Sequence, residues 1–480
     1  MASTASLSNS TAVSPPPALA PNVSSVLDLI GNTPMVRIRC FDTGPCELYV
    51  KMESQNPGAS IKDRIALSMI EAAERDGKLK PGGTIIEATA GNTGLGLALV
   101  AASKGYRMVL IVPDKMAREK VHNLAALGAE VITTRSDVAK GHPEYYQDMA
   151  ARIAKETPGA FYIDQFNNAA NPLAHEQTTG PEILEQMDGR VDAVVCGVGS
   201  GGTITGLSRY FAERSPSTEM VLADPEGSIL VEYVKHGTLG EPGSWAVEGI
   251  GEDFIPGIAD LSRVAAAYTI TDKESFETAR TLLRRESILA GSSAGTLVAA
   301  AVRYCQDQTT PKRVVTFICD TGAKYLSKMF NDTWMIEQGY LDRPRHGDLR
   351  DLITRPFTSG ATVTVGPEDT LLTAYRRMRS SDVTSLPVIE GERIVGLLDE
   401  TDLLLAVRNG RDQGEEDPFA HHVSHAMITR LETVGIDTPV SSLPDIFDRG
   451  RIAIVMDGEN FVGLLTAVDL LNHLRLGAQE

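Results

Sequence analysis

The sequence predicts an α/β protein with a mostly parallel sheet, joined to a smaller, duplicated α+β unit. Three observations carry this. From Val26 onward, apolar runs of four to eight residues alternate with amphipathic stretches, the pattern of right-handed βαβ units. Near the C-terminus a segment repeats at a constant offset of 67 residues. The chain of 480 residues contains 43 glycines and is 42% hydrophobic, within the range of a globular protein of about three domains.

Taken in order, residues 1–27 carry no charge and are rich in Ser, Thr, Ala and Pro. Such a segment buries too little apolar surface to offset its ordering entropy, so 1–25 is predicted to be a disordered tail. It lacks the basic start and apolar core of a secretory signal, and the arginines of a mitochondrial presequence. Five cysteines without a CxxC pair indicate reduced thiols rather than a disulfide framework or zinc site, so a cytoplasmic location is expected. Buried strands are predicted at Thr84–Glu87, Met108–Val112, Ala193–Cys196, Met220–Ala223 and Val314–Cys319, with helices at Ile61–Asp76, Gly94–Lys104 and Glu277–Glu286. The alternation pauses near Leu341, and 343–349 reads as a linker. The repeat follows: VIEGERIVGLLDETDLL at 388–404 and VMDGENFVGLLTAVDLL at 455–471 each read strand, tight turn, strand, helix. Modules are placed at 350–407 and 421–476, separated by the polar loop Arg408–Asp417. The formal net charge of −18 argues against nucleic-acid or anionic-membrane partners. No run approaches the ~18 apolar residues of a membrane helix.

Three motifs carry chemistry. In Ser54–Arg64, a turn at Asn56-Pro57-Gly58 leads to Ser60 as a helix N-cap, with Lys62 in the first turn. The positive end of the helix dipole disfavours a charged amine there and promotes a nucleophilic one, with Asp63 as a partial offset. In Glu87–Gly96, glycines around Asn92 and Thr93 open a helix whose N-terminus attracts a carboxylate or phosphate. In Gly197–Thr203, successive backbone N–H groups would cradle a phosphate. That third motif also satisfies G-x-G-x-x-G, with Asp224 ending the next strand, so a dinucleotide-dependent dehydrogenase stands as an alternative. A further Gly-rich turn, Gly291–Gly295, is less specific.

Together these stretches resemble the cystathionine β-synthase family of fold-type-II pyridoxal-phosphate enzymes. The resemblance runs from about Val26 to Leu341 and rests on SIKDR at 60–64, ATAGNTG at 88–94, NPLAH at 171–175, GSGGTITG at 199–206, DPEGS at 224–228 and EGIGEDFIP at 248–256. It implies a two-lobed, tryptophan-synthase-β-like catalytic part at 26–342, with a smaller lobe at roughly 90–175. The C-terminal repeat is similar to a tandem pair of CBS modules.

By this resemblance the cofactor is pyridoxal 5′-phosphate, held covalently by Lys62, which also serves as general base. Asn92 would contact the ring 3′-oxygen. Gly199, Ser200, Gly201, Gly202 and Thr203 would hold the phosphate, and Thr321 would bond the pyridine nitrogen. A hydroxyl there, unlike a carboxylate, leaves the ring a weaker electron sink, which suits β-elimination. Thr89, Gly91, Thr93 and Gln165 would receive the substrate carboxylate, and Glu248 would lie near the second substrate. The implied reaction condenses serine with homocysteine to cystathionine, in a homodimer or larger homo-oligomer.

Three departures stand out. Residues 1–39 contain neither Cys nor His, so no haem is expected. Ala90 stands where the loop commonly has Ser. Phe166 stands where animal enzymes tend to have Tyr, as in cysteine synthases, which keeps O-acetylserine and sulfide open as alternative substrates. In the modules, Thr466 and Asp469 fit an adenosine ribose, with S-adenosylmethionine the implied effector. The first copy has Asp402 but Asp399 in the threonine position. An adenosyl sensor on an inactive scaffold is a further alternative, opposed by intact Lys62, Asn92 and Thr321. His421, His422 and His425 cluster, and the i, i+4 spacing of His421 and His425 could hold a metal, but no third ligand of suitable type is evident and no metal is expected.

Overall fold

A computed structural model describes residues 22–89, 91–114, 116, 118–138, 141–342 and 346–477. Most of the predicted tail, Ala90 and the Arg343–Arg345 part of the predicted linker lie outside them. The chain divides into two compact units, one ending at Lys324 and one beginning at Tyr325. The expected catalytic stretch 26–342 straddles this division. Tyr325 onward packs with the second unit, where Arg475 donates a 2.7 Å hydrogen bond to the Glu337 carbonyl.

The first unit is built on the strands β1 (Met35–Ile38), β2 (Glu47–Lys51), β3 (Thr84–Ala88), β4 (Arg107–Pro113), β5 (Glu130–Thr134), β6 (Ala160–Tyr162), β7 (Ala193–Cys196), β8 (Glu219–Pro225), β9 (Val264–Ile270) and β10 (Arg313–Phe317). They form two sheets. One has the order β1-β2-β10-β7-β8-β9, parallel except at its β1 edge. The other has the order β5-β4-β3-β6 and is parallel throughout. The central strands are apolar on both faces because helices cover both, so every residue of β7 is buried.

The predicted strands appear with ends shifted by no more than two residues. The last expected strand stops at Phe317 rather than Cys319, because the chain there turns to pair with the Lys62 segment: Ile61 N–H donates to the Cys319 carbonyl and Ser54 N–H to that of Ile318. The helix expected at Glu277 starts at Asp272, where the Thr271 hydroxyl caps it by accepting from Glu274 N–H.

The helices Lys62–Arg75 and Asn92–Lys104 meet at Gly96. A Cβ there would lie 3.1 Å from the Lys62 carbonyl and 3.1 Å from the Ala66 methyl. The small residue lets the two site-bearing helices touch at their N-terminal turns.

Beneath this contact lies a buried ionic network. Arg64 donates to both oxygens of Glu53 (2.7 and 2.8 Å) and both oxygens of Glu182 (2.7 and 2.7 Å). Lys51 also binds Glu182 at 2.8 Å, and Glu53 accepts from Thr33 and Asn56. Burial alone would raise the Glu182 carboxyl, but Arg64 and Lys51 hold it down at about 2.

The second unit holds two hydrophobic cores, one around Leu371, Leu386 and Val388, the other around Leu349, Ile353 and Val455. Strands β11 (Ser385–Glu390) and β12 (Arg393–Asp399) form one hairpin, and β14 (Ala453–Asp457) and β15 (Asn460–Leu465) the other, with β13 (Thr433–Gly435) added parallel to β14. The turn glycines Gly391 and Gly458 take φ of +65° and +62°, the left-handed geometry the repeat predicted. Among the described residues, no helix is long and apolar enough to cross a membrane.

Replacing Arg64 by Ala would strand two buried carboxylates, at a cost of about 3–5 kcal/mol. Urea unfolding of the first unit followed by circular dichroism should show this loss. The Glu182 contribution is present above its ordinary pKa and disappears as pH falls toward about 2, so the variant should also lack the wild type's stability drop in that interval.

Candidate active site

A cavity of about 270 Å³ opens in the first unit at the C-terminal ends of parallel strands, where open α/β sheets bind ligands. Its lining brings together Lys62, Thr89, Gly91, Asn92, Thr93, Gln165, Gly199, Ser200, Gly201, Gly202, Thr203 and Glu248, all expected from the sequence. Thr321 is not among the lining residues. Its backbone N–H donates to the Ala59 carbonyl and its hydroxyl accepts from Ala323 N–H, so it serves the local turn. Ser293 takes a place in the wall instead, beside the Cys319 thiol. It belongs to the Gly291–Gly295 turn, whose second serine was the available signal.

Lys62 opens its helix, with Ile61 rather than Ser60 as N-cap. The Ser60 hydroxyl still accepts from Lys62 N–H at 3.3 Å. Burial lowers the Lys62 amine pKa, while Cys319, Asp320 and Glu252 pull it the other way. The net direction favours the free base. Asp63 turns from the cavity to accept from Gly58 N–H, and burial pushes its carboxyl up to about 6.

Asn92 is held from two sides. Its amide donates to Asp320 at 2.8 Å, and Lys324 donates to its oxygen at 2.6 Å. Thr93 donates to Gln165 at 2.8 Å, joining the start of the second site helix to the segment after β6. Because that helix begins at Asn92, its first N–H groups have no intrahelical acceptor and face the cavity as anion donors.

The glycine loop has the same logic. Gly201 has φ +85° and precedes the helix Gly202–Arg214. A Cβ on Gly199 would lie 2.6 Å from the Gly249 carbonyl, and one on Gly202 would lie 1.8 Å from Asn171 Oδ1. Only glycine therefore leaves this cradle open. Asn171 donates to Ser200 Oγ at 3.0 Å and to the Gln165 carbonyl at 2.9 Å. His175 bridges Thr203 (3.2 Å) and Thr179 (2.9 Å) through its two ring nitrogens. Burial, with Arg64 and Lys62 nearby, drives its pKa well down and keeps it neutral. These supports came from the NPLAH stretch, but sequence reasoning assigned them no role.

The donors fit pyridoxal phosphate: a helix-end cradle for a phosphate, a buried amine for an aldehyde, the Asn92 amide, and the Ser293 hydroxyl. They do not fit a dinucleotide. Asp224, the acid of the G-x-G-x-x-G pattern, is buried and accepts from Val231 N–H, capping its own following helix rather than lining the cavity.

Glu248 lines the wall with its carboxylate in an ion pair with Lys120. In the second unit, Asp469 accepts from Thr466 N–H (2.8 Å), Thr466 Oγ1 (2.7 Å) and Thr354 Oγ1 (3.1 Å). Asp399 and Asp402 instead form a reciprocal capping box at the helix Glu400–Asp412. His421 and His422 pair with Glu415 and Glu368. Among the described residues, no three His, Cys, Asp or Glu side chains group to hold a metal.

Fold and site thus define a pyridoxal-phosphate-dependent enzyme with a regulatory type of C-terminal unit. Residues 26–320 match the family described as pyridoxal-phosphate dependent enzyme, and 349–409 and 423–476 match the CBS domain. Relatives named cystathionine beta-synthase are 37% identical in Oryctolagus cuniculus (95% of this chain, 85% of the relative), 35% in Dictyostelium discoideum (95% and 93%) and 33% in Saccharomyces cerevisiae (94% and 97%). A hydrogen sulfide-producing enzyme from Fusobacterium nucleatum superposes with TM-score 0.60 at 37% identity, covering 64% of this chain and all of that one. O-ureido-L-serine synthase gives TM-score 0.60 at 34% identity, with 68% and 98% covered. The chain belongs to the cystathionine beta-synthase family.

One buried acid beneath the site is testable directly. Glu87, 1% exposed, accepts from Ala88 N–H at 3.0 Å. Burial pushes its carboxyl up to about 8. The folded chain then holds an extra proton between about pH 4.5 and 8, so stability falls as pH rises across that interval. Glu87→Gln should remove this slope. Unfolding midpoints at pH 5, 6.5 and 8 should show the variant gaining on the wild type at each step.

Proposed function

We propose that the protein condenses L-serine with L-homocysteine to give L-cystathionine and water. The observation that carries this is a buried amine of lowered pKa, Lys62, sharing one cavity with a carboxylate receptor built from Thr89, Gly91, Thr93 and Gln165. The receptor fixes the amino acid's carboxylate, so the α-carbon lies over Lys62. Bound pyridoxal phosphate, attached through Lys62, supplies the electron sink that acidifies the α-proton. The Lys62 amine removes that proton and later returns it. Asn92, clamped by Asp320 and Lys324, and Thr203, clamped by His175, orient ring and phosphate without needing to reorganise. Ser293 is the neutral hydroxyl toward the pyridine nitrogen, the role expected of Thr321.

A second reading is a cysteine synthase acting on O-acetylserine and sulfide. Phe166 favours it, presenting an apolar ring to the cavity, tilted against Phe254 with centroids 5.5 Å apart. For the C-terminal unit we propose an adenosyl effector such as S-adenosylmethionine at Thr466 and Asp469, and for the whole chain a cytoplasmic homo-oligomer.

Lys62→Ala should lose both the visible absorbance of the bound cofactor and turnover; retention of both would refute its role. Cystathionine and cysteine formation should be compared across serine and O-acetylserine. Faster cystathionine formation from serine supports the first reading, and faster cysteine formation from O-acetylserine the second. Titrating S-adenosylmethionine into the full-length protein should release heat, and Asp469→Ala should abolish it.

A further inference from the structure

Two carboxyl side chains line the cavity wall, Glu248 and Glu252. They differ in what holds them. Glu248 is ion-paired with Lys120. Glu252 has a fixed backbone: its N–H donates to Ser228 Oγ at 3.1 Å, and its carbonyl accepts from Ile229 N–H at 3.1 Å. The preceding Gly251, at φ +85°, packs so closely that a Cβ would lie 2.5 Å from Pro225. The turn is thereby set, and the Glu252 carboxyl enters the cavity without a side-chain hydrogen bond or ion pair among the described residues. The charge that feels it across the cavity is Lys62. The remaining ionisable neighbours are Asp224, Asp253 and the phenols of Tyr145 and Tyr146.

A β-replacement on serine moves a second proton besides the α-proton, first to the leaving oxygen and then from the entering thiol. Hydroxide is a poor leaving group, and a thiol is a poor nucleophile until deprotonated. A Lys62 that keeps the α-proton between the two halves leaves this second proton to another group. We infer that Glu252 is the second acid–base group of this site, protonating the departing hydroxyl and then deprotonating the incoming thiol. The inference rests on the β-replacement reading above. In the first half, Lys62 takes the α-proton, the Cα–H electron pair forms the Cα–Cβ double bond, and the Cβ–O bond breaks. The Glu252 proton joins the leaving oxygen as water. In the second half, the thiol proton passes to the Glu252 carboxylate, sulfur bonds to Cβ, and Lys62 returns its proton to Cα. Both groups end as they began, with no net oxidation.

The electrostatics agree with that assignment. Burial, with Asp253 and Asp224 close by, lifts the Glu252 carboxyl to about 8, against the opposing pull of Lys62. It therefore starts protonated at neutral pH, as an acid must.

The test is Glu252→Gln in the holoenzyme, which keeps shape and removes the transferable proton. Acetate leaves without protonation, so the two first substrates separate the roles. On mixing with serine in the absence of thiol, the cofactor's absorbance change should slow by roughly 10²-fold or more. With O-acetylserine it should slow less than about tenfold. Glu252→Asp should recover part of the serine rate. On the apoprotein at pH 7, an infrared difference spectrum should show a protonated-carboxyl band in the wild type that Glu252→Gln lacks. Unchanged cofactor absorbance and melting temperature would show that the variant folds. Equal slowing with both first substrates would overturn the inference, as would a raised KM for homocysteine alone, which marks ammonium recognition. If the wild type forms cystathionine from neither substrate, the β-replacement reading fails instead.

Discussion

The buried guanidinium of Arg64 is the constraint on which the catalytic unit depends. It lies two residues beyond Lys62 on the same helix, and its bonds reach Glu53 in the preceding segment and Glu182 on a helix far along the chain. Buried ion pairs often add little net stability, because desolvating the charges offsets their attraction. What this one supplies is position. With both carboxylates gripping one planar group, the helix cannot rotate or slide, and the Lys62 amine cannot leave the cavity. Thr33, Asn56 and Lys51 satisfy the remaining lone pairs, so the network is complete rather than half-made.

From that anchor the site follows by contact. Gly96 lets the second helix settle against the Lys62 turn, which brings Asn92 and Thr93 to the same cavity. Thr93 then fixes Gln165, and Asn171 ties the Gln165 carbonyl to Ser200 of the glycine loop. The net charge of −18 does not oppose anion binding here. The anion receptors are backbone N–H groups at two helix starts, whose field is local, while the surface acids are screened within about 10 Å.

Much of this was legible in the sequence because its signals are local. Strand and helix periods, glycine loops and the repeat are local signals, and the residues that the helix-start motifs singled out, Lys62, Asn92 and Gly199–Thr203, line one cavity. What was lost depends on how distant segments meet. Thr321 and Ser293 are both small hydroxyl residues beside glycines. The course of the chain after Phe317 leaves Ser293 among the cavity's lining residues and Thr321 outside them. Asp224 likewise fits a spacing rule, but its carboxylate is claimed by the helix that follows it. Asn171 and His175 support the glycine loop across a gap of about 30 residues that no spacing rule spans, and Glu252 was hidden inside a motif read only as resemblance.

The two C-terminal modules show how one repeat diverges. In each, an acid stands at the same repeat position after the hairpin, Asp402 and Asp469, 67 residues apart. In the second, Thr466 and Thr354 donate hydroxyls to Asp469, an arrangement a ribose diol can replace donor for donor. In the first, Asp399 occupies the threonine position and bonds reciprocally with Asp402, while burial and the neighbouring charge raise the Asp402 pKa. A ligand entering there would have to break a capping box and meet two carboxylates. The asymmetry therefore follows from one substitution: the second module keeps hydroxyl donors beside its acid, while the first commits its two acids to a helix cap.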